Sequence, residues 1–162
     1  MLALYARPAD RKPRRVREAL LDSRAARLEW EEAAARAEKE PVRHRGISRK
    51  AERAAESALA TMGRATMLME AHLPDRDATP SAGAEEFATA LRSALPAAER
   101  AVRERGRLDW SAPLAALTAW QEREGDESVP VRGSELLLDA LDELAQALAP
   151  GGRGRKRGAG RR

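Results

Sequence analysis

The chain has 162 residues, a length typical of one domain, and carries a formal net charge of +4. It contains no cysteine, which excludes disulfide scaffolds, thiol catalysis and thiolate metal sites. Its apolar runs are far shorter than the roughly 20 residues of a membrane-spanning helix. Arg7 ends the apolar stretch from Met1 to Ala6 before it is long enough for a signal peptide. We therefore expect a soluble protein.

The composition predicts an all-α fold. Alanine accounts for 35 residues, whereas Leu, Ile, Val and Phe together supply 26. Alanine is the best helix former, Arg and Glu are good ones, and the β-branched and aromatic residues that favour strands are few. We expect an antiparallel bundle of four to five helices over residues 14–149. Residues 1–13 would form an apolar and basic lead-in, and residues 150–162 a disordered Gly/Arg-rich tail.

Positive charge is concentrated at the two ends of the chain. Residues 7–17 carry a net +5 and residues 150–162 a net +6, which leaves residues 18–149 at −7. The tail could contact nucleic acid or an anionic membrane surface. A nucleic-acid-binding domain usually carries its positive charge on a folded face, so this pattern makes nucleic acid the weaker candidate. The tail residues that would make such contacts are Arg153, Arg155, Lys156, Arg157, Arg161 and Arg162.

The first long helix is predicted to begin between Asp10 and Arg14 and to end near Glu38, because Pro41 disfavours helical geometry at the residue before it. Its predicted buried seam alternates spacings of four and three residues. Further apolar residues widen this stripe, so we expect the helix to pack against more than one neighbour. The seam consists of Val16, Leu20, Ser23, Arg27, Trp30, Ala34 and Ala37, and the widening residues are Leu21, Ala25 and Leu28.

Proline, glycine and capping residues divide the rest of the chain into helices. A second helix is predicted from a cap at Ser48 to about Leu73, and a third from Ala84 to Arg105 with a kink or break near Ala94 caused by Pro96. A fourth, short helix is predicted to start at a cap provided by Asp109 or Ser111. The last helix is predicted to be capped by Ser134 and to end at Pro150.

Residues with catalytic or metal-binding chemistry do not occur in recognisable patterns. His44 and His72 are far apart in the sequence, and neither belongs to a recognisable metal-ligand motif, so we expect no metal. The serines and threonines fit caps or helix seams, and no nucleophile motif or phosphate loop is present. We therefore expect neither an enzyme nor a cofactor.

One basic cluster, Arg43, His44 and Arg45, is a candidate anion contact. Two arginines beside a proline and a glycine could hold a carboxylate or a phosphate. Alternatively, the three side chains neutralise the carbonyl groups at the end of the first helix, where the helix dipole favours cations. We prefer this helix-end interpretation because it requires no ligand.

Residues 19–46 resemble a known family. The segment from Ala19 to Leu28, then an acidic and Ala-rich helix, then the loop from Glu40 to Gly46 are similar to the C-terminal cytoplasmic region of the fusaric acid resistance-like (FUSC) family of bacterial inner-membrane proteins. The resemblance extends over about residues 1–110 and is sharpest from Glu40 to Gly46. It implies a part in exporting aromatic carboxylic acids or related toxic organic anions. The family's membrane domain has no counterpart in this chain.

The function expected from this resemblance is a non-catalytic cytoplasmic helical module of a FUSC-like exporter, placed at the inner face of the bacterial plasma membrane. The stub from Met1 to Ala6, followed by basic residues, has the composition of the cytoplasmic end of a membrane helix. The expected partner is the transporter's membrane domain or further copies of the chain. The alternative is a free-standing basic helical protein that binds nucleic acid or a protein partner through its termini.

Overall fold

The computed structural model describes residues 1–39, 49–104 and 106–148, and within them the chain forms six α-helices and no strand. The prediction of an all-α bundle is confirmed. A single 3-10 turn, Pro8–Asp10, lies between the first two helices. The helices are α1 Leu2–Ala6, α2 Pro13–Lys39, α3 Arg49–Ala71, α4 Ala82–Glu104, α5 Ser111–Glu124 and α6 Val129–Leu148.

The core is formed by α1, α3, α4, α5 and α6. The start of α4 meets the end of α5, where the rings of Phe87 and Trp120 lie 6.2 Å apart. The start of α6 meets the end of α3, because Gly133 lies directly against Met69. The buried cluster that joins the helices contains Tyr5, Ala6, Met69, Ala84, Phe87, Leu91, Leu117, Trp120, Val131 and Leu138.

The N-terminal residues form part of this core. Tyr5 and Ala6 are buried, and the backbone oxygen of Tyr5 accepts a hydrogen bond from the Ser81 N–H at 3.0 Å. The Arg11 guanidinium donates to the Pro74 carbonyl at 3.0 Å. The first residues, predicted as a lead-in, are thus fastened across the loop between α3 and α4.

The start of α6 differs from the prediction. Ser134 does not cap the helix, because α6 begins five residues earlier at Val129. Ser134 is buried inside the helix, and its hydroxyl donates to the Pro130 carbonyl at 2.7 Å. Pro130 is tolerated in the first turn, where its missing N–H would have no helical partner. Burial of Val131 then favours an early helix start.

Pro96 does not break α4. The helix continues from Ala82 to Glu104 through this proline. Residues on either side of it, Leu91 and Ala98, are buried in the core. We attribute the continuity to this packing, because buried contacts before and after the proline offset the loss of one backbone hydrogen bond.

Candidate interaction surface on the second helix

Helix α2 differs from the other long helices in how little of it is buried. It has 27 residues, which gives a rod of about 40 Å. None of its side chains that the structure describes is buried, whereas α4 and α6 each contribute six buried residues. Helix α2 therefore lies on the outside of the core.

One face of α2 is turned towards α3. The half-buried residues of α2 are Val16, Leu20, Arg27 and Trp30. Of these, Arg27 and Trp30 lie beside α3, and the Arg27 Nη1 atom is 3.5 Å from the position that a Cβ atom at Gly63 would occupy. A shallow cleft of about 70 Å³ lies between the two helices. It is lined by Arg27, Trp30, Glu31, Glu56, Leu59 and Ala60.

The opposite side of α2 is open to solvent. We call the face formed by Arg17, Leu21, Ala25, Leu28 and Glu32 the outer face. These side chains are all exposed, with Leu21 at 58% and Leu28 at 48%. Leu21 and Leu28 are seven residues apart, which is close to two helical turns and places them on the same side of the rod.

This exposure corrects the prediction that α2 packs against more than one neighbour. Leu21, Ala25 and Leu28 were expected to widen a buried stripe, but all three are exposed in the structure. The reason lies in α3, whose small residues Ala58 and Ala65 are fully buried while α3 packs along α6. Because α6 covers that stripe, α2 reaches only another side of α3.

The charged side chains of α2 are only partly paired within the helix. Arg14 and Glu18 form an ion pair at 2.9 Å, and Arg27 Nε lies 3.5 Å from Glu31 Oε1. Among the residues that the structure describes, Arg17 and Glu32 have no ion-pair partner. The outer face thus carries a free cation near one end and a free anion near the other.

The predicted basic sites have different outcomes in the structure. Arg43, His44 and Arg45 lie outside the described residues, as do Arg153, Arg155, Lys156, Arg157, Arg161 and Arg162. The N-terminal cations Arg7 and Arg11 are described, and both have partners. Arg7 forms an ion pair with Glu85, whose hydrogen bond raises the pKa of Arg7, and Arg11 donates to the Pro74 carbonyl. Part of the N-terminal positive charge is therefore already paired with groups of the folded core.

Potential metal-binding groups do not cluster in the part of the chain that is described. No group of three or more His, Asp or Glu residues in residues 1–39, 49–104 and 106–148 could hold a metal ion. His72 is exposed, and its Nδ1 lies 2.9 Å from the Leu68 carbonyl of its own helix. A wide, open cleft between α5 and α6 is lined by Gln121, Asp126, Glu127, Arg132 and Glu135.

None of the described helices combines the length and the apolar character that crossing a bilayer requires. Comparison with protein families, with curated proteins and with solved structures finds no match for this chain. The candidate site is therefore identified from the geometry of α2 alone.

Periodicity alone could not identify the outer face. The inner residues Val16 and Leu20 and the outer residues Leu21 and Leu28 are all apolar, so a wide buried stripe was the natural interpretation. A signal was nevertheless present in the charges, because Arg17 and Glu32 share the side of the helix that carries Leu21 and Leu28. Charges this close to an apolar stripe are typical of a helix that pairs at a solvated seam.

Proposed function

We propose that this chain is a non-catalytic helical assembly module of a FUSC-like exporter, and that the outer face of α2 is its contact surface. The observation that carries this proposal is the exposure of Leu21 and Leu28 on a 27-residue helix with no buried side chain among those described. Keeping such a helix ordered on the outside of a core has little benefit unless a partner covers it. The exporter is proposed because residues 19–46 resemble the FUSC family.

The proposed place of action is the inner face of the bacterial plasma membrane, beside the membrane domain of the exporter. The basic tail would add affinity for anionic lipids, which attract Lys and Arg near the surface. The module itself would move no substrate. Its part would be to hold the exporter's cytoplasmic side together.

A genetic experiment tests this function. In the bacterium that carries the gene, the chromosomal copy is deleted and replaced either by the wild type or by the variant Leu21→Glu/Leu28→Glu. We expect deletion to lower the fusaric acid concentration that stops growth, the wild type to restore it, and the variant to fail. Recovery of wild-type protein with the inner-membrane fraction, and loss of the variant from that fraction, would support the location.

The control variant is Met67→Glu/Leu114→Glu, which adds the same charges at two apolar residues outside α2 that are 68% and 56% exposed. We expect it to restore tolerance fully. Unchanged tolerance after deletion would contradict the exporter function. Tight, salt-sensitive binding of duplex DNA that disappears in a chain ending at Ala149 would favour the nucleic-acid alternative instead.

A further inference from the structure

The outer face of α2 points to a particular partner. We propose that two copies of the chain pair through this face, with their α2 helices antiparallel and crossing near Ala25. This inference rests on the proposed function in one respect, namely that the outer face is a contact surface. It goes further by naming a second copy as the occupant.

The apolar residues of the outer face are arranged symmetrically about one point. Leu21 and Leu28 lie at equal distances along the helix from the midpoint between Arg24 and Ala25. A two-fold axis through that point would place Leu21 of each copy opposite Leu28 of the other. A C2 contact of this kind uses the same patch on both partners and closes after two copies. Ala25 at the centre allows the helix axes to approach closely.

The charges of the outer face select the antiparallel direction. The same two-fold axis that places Leu21 opposite Leu28 places Arg17 of each copy opposite Glu32 of the other. Both side chains are exposed, and neither has an ion-pair partner in the described chain. Parallel pairing would instead bring Arg17 against Arg17 and Glu32 against Glu32. Like charges opposed across a helix pair are unfavourable, so both the apolar and the charged positions agree on one register.

One charge near the centre opposes this arrangement weakly, because the two-fold axis brings Arg24 of one copy beside Arg24 of the other. Arg24 is exposed on the flank of the outer face, where water and salt screen this repulsion. The other nearby charges are compensated. Glu18 and Glu31 would otherwise approach one another across the pair, but each is neutralised within its own helix. Glu18 is paired with Arg14, and Glu31 lies 3.5 Å from Arg27. The half-buried face of α2, where Arg27 and Trp30 line the cleft with α3, is not needed for pairing.

The first experiment measures self-association of the full chain by sedimentation velocity over a concentration series. We expect a monomer–dimer equilibrium in the wild type, and a dissociation constant raised about tenfold or more in Leu21→Glu/Leu28→Glu, since each leucine loses most of its apolar burial. The variant Met67→Glu/Leu114→Glu should dimerise as the wild type does. A wild type that stays monomeric at every concentration, or a dimer that the α2 variant leaves intact, would overturn the proposal.

The second experiment reads the direction of pairing. The chain contains no cysteine, so single cysteines can be introduced without background. A mixture of Arg17→Cys and Glu32→Cys proteins should form a disulfide-linked dimer on mild oxidation, whereas each variant alone should not. Cross-linking of each variant with itself, and not in the mixture, would show parallel pairing and contradict the antiparallel register.

Failure of this inference can be told from failure of the proposed function. A chain that is monomeric in solution, but loses membrane association and tolerance in the Leu21→Glu/Leu28→Glu strain, would keep the outer face as a contact surface and remove the second copy as its occupant. A chain that dimerises through α2 in solution, but whose deletion leaves fusaric acid tolerance unchanged, would keep the pairing and remove the exporter function.

Discussion

The hydroxyl of Tyr5 lies 2.7 Å from the backbone carbonyl of Met69 and donates to it across 64 residues of sequence. It also lies 3.0 Å from the His72 carbonyl. The last carbonyl groups of a helix lack their regular helical partners. The Met69 carbonyl also accepts from the His72 N–H at 3.3 Å, so Tyr5 supplies a second and shorter hydrogen bond at the end of α3. This contact fastens the N-terminus to the core.

Replacing Tyr5 with Phe should remove this contact while preserving most of the ring packing. We expect the free energy of unfolding to fall by about 1–2 kcal/mol at neutral pH, because the 2.7 Å hydrogen bond is lost and the Met69 carbonyl keeps a longer one, 3.3 Å, from the His72 N–H. Urea denaturation of both proteins measures this difference. Unchanged stability in Tyr5→Phe would show that the hydroxyl does not contribute to holding the N-terminus.

Tyr5 should also make the free energy of unfolding depend on pH in the alkaline range. Burial raises the pKa of Tyr5 from 10.0 to about 12, so the unfolded chain loses this proton at lower pH than the folded one. The stabilisation of the fold by protonated Tyr5 is fully present below pH 10 and is lost as the pH rises to about 12. The free energy of unfolding should therefore fall more steeply in this interval for the wild type than for Tyr5→Phe.

This is the chain's one tyrosine, so tyrosinate absorbance follows its titration directly. A midpoint near pH 10 in the folded protein would contradict the burial seen here.

Substitution by alanine at two glycines should change the free energy of unfolding in opposite directions. A Cβ atom at Gly83 would overlap Trp120 Cδ1, whereas a Cβ atom at Gly63 would meet only the Arg27 Nη1 atom at 3.5 Å. Gly83→Ala should lower the free energy of unfolding by about 1–3 kcal/mol through overpacking of the core. Gly63→Ala should raise it by up to about 1 kcal/mol, since alanine favours a helix interior. Thermal or urea denaturation of the pair tests the packing of α4 against α5.

The indole of Trp110 should stabilise the contact between the start of α5 and α6. Its Nε1 donates to Asp142 Oδ1 at 3.1 Å in a half-buried position. We expect Trp110→Phe to cost about 1 kcal/mol or more, from the lost hydrogen bond and part of the ring contact. Asp142→Asn is the matched variant, because its amide oxygen can still accept, and it should cost less. Equal losses from the two would contradict this interpretation.

Backbone hydrogen exchange should separate α2 from the other long helices. Amides exchange through local opening, which is easiest where few side chains are buried. The described part of α2 has no buried side chain, whereas α4 and α6 each have six. We expect amides of α2 to exchange faster than those of α4 and α6 in dilute protein, and to slow at concentrations where two copies pair. Uniform protection along the chain would contradict the peripheral position of α2.

Local chemistry made the helical class and most helix limits predictable. Alanine, arginine and glutamate favour helices whatever their neighbours, and Pro74 lies just beyond the end of α3 at Ala71. The predicted first helix, beginning between Asp10 and Arg14 and ending near Glu38, agrees with Pro13–Lys39 to within a residue or so at each end. Such features depend on residues only a few positions apart, so the sequence alone contains them.

Burial was decided by contacts between distant residues. Tyr5 enters the core because the end of α3 offers it a carbonyl, and Ser134 lies inside α6 because Val131 is buried. Leu20 and Leu21 are chemically identical neighbours, yet one lies half-buried and the other is 58% exposed. Helical periodicity identifies the faces of a rod, but which face is covered depends on where α6 packs along α3. Only the tertiary structure fixes that arrangement, and with it the face of α2 that stays exposed.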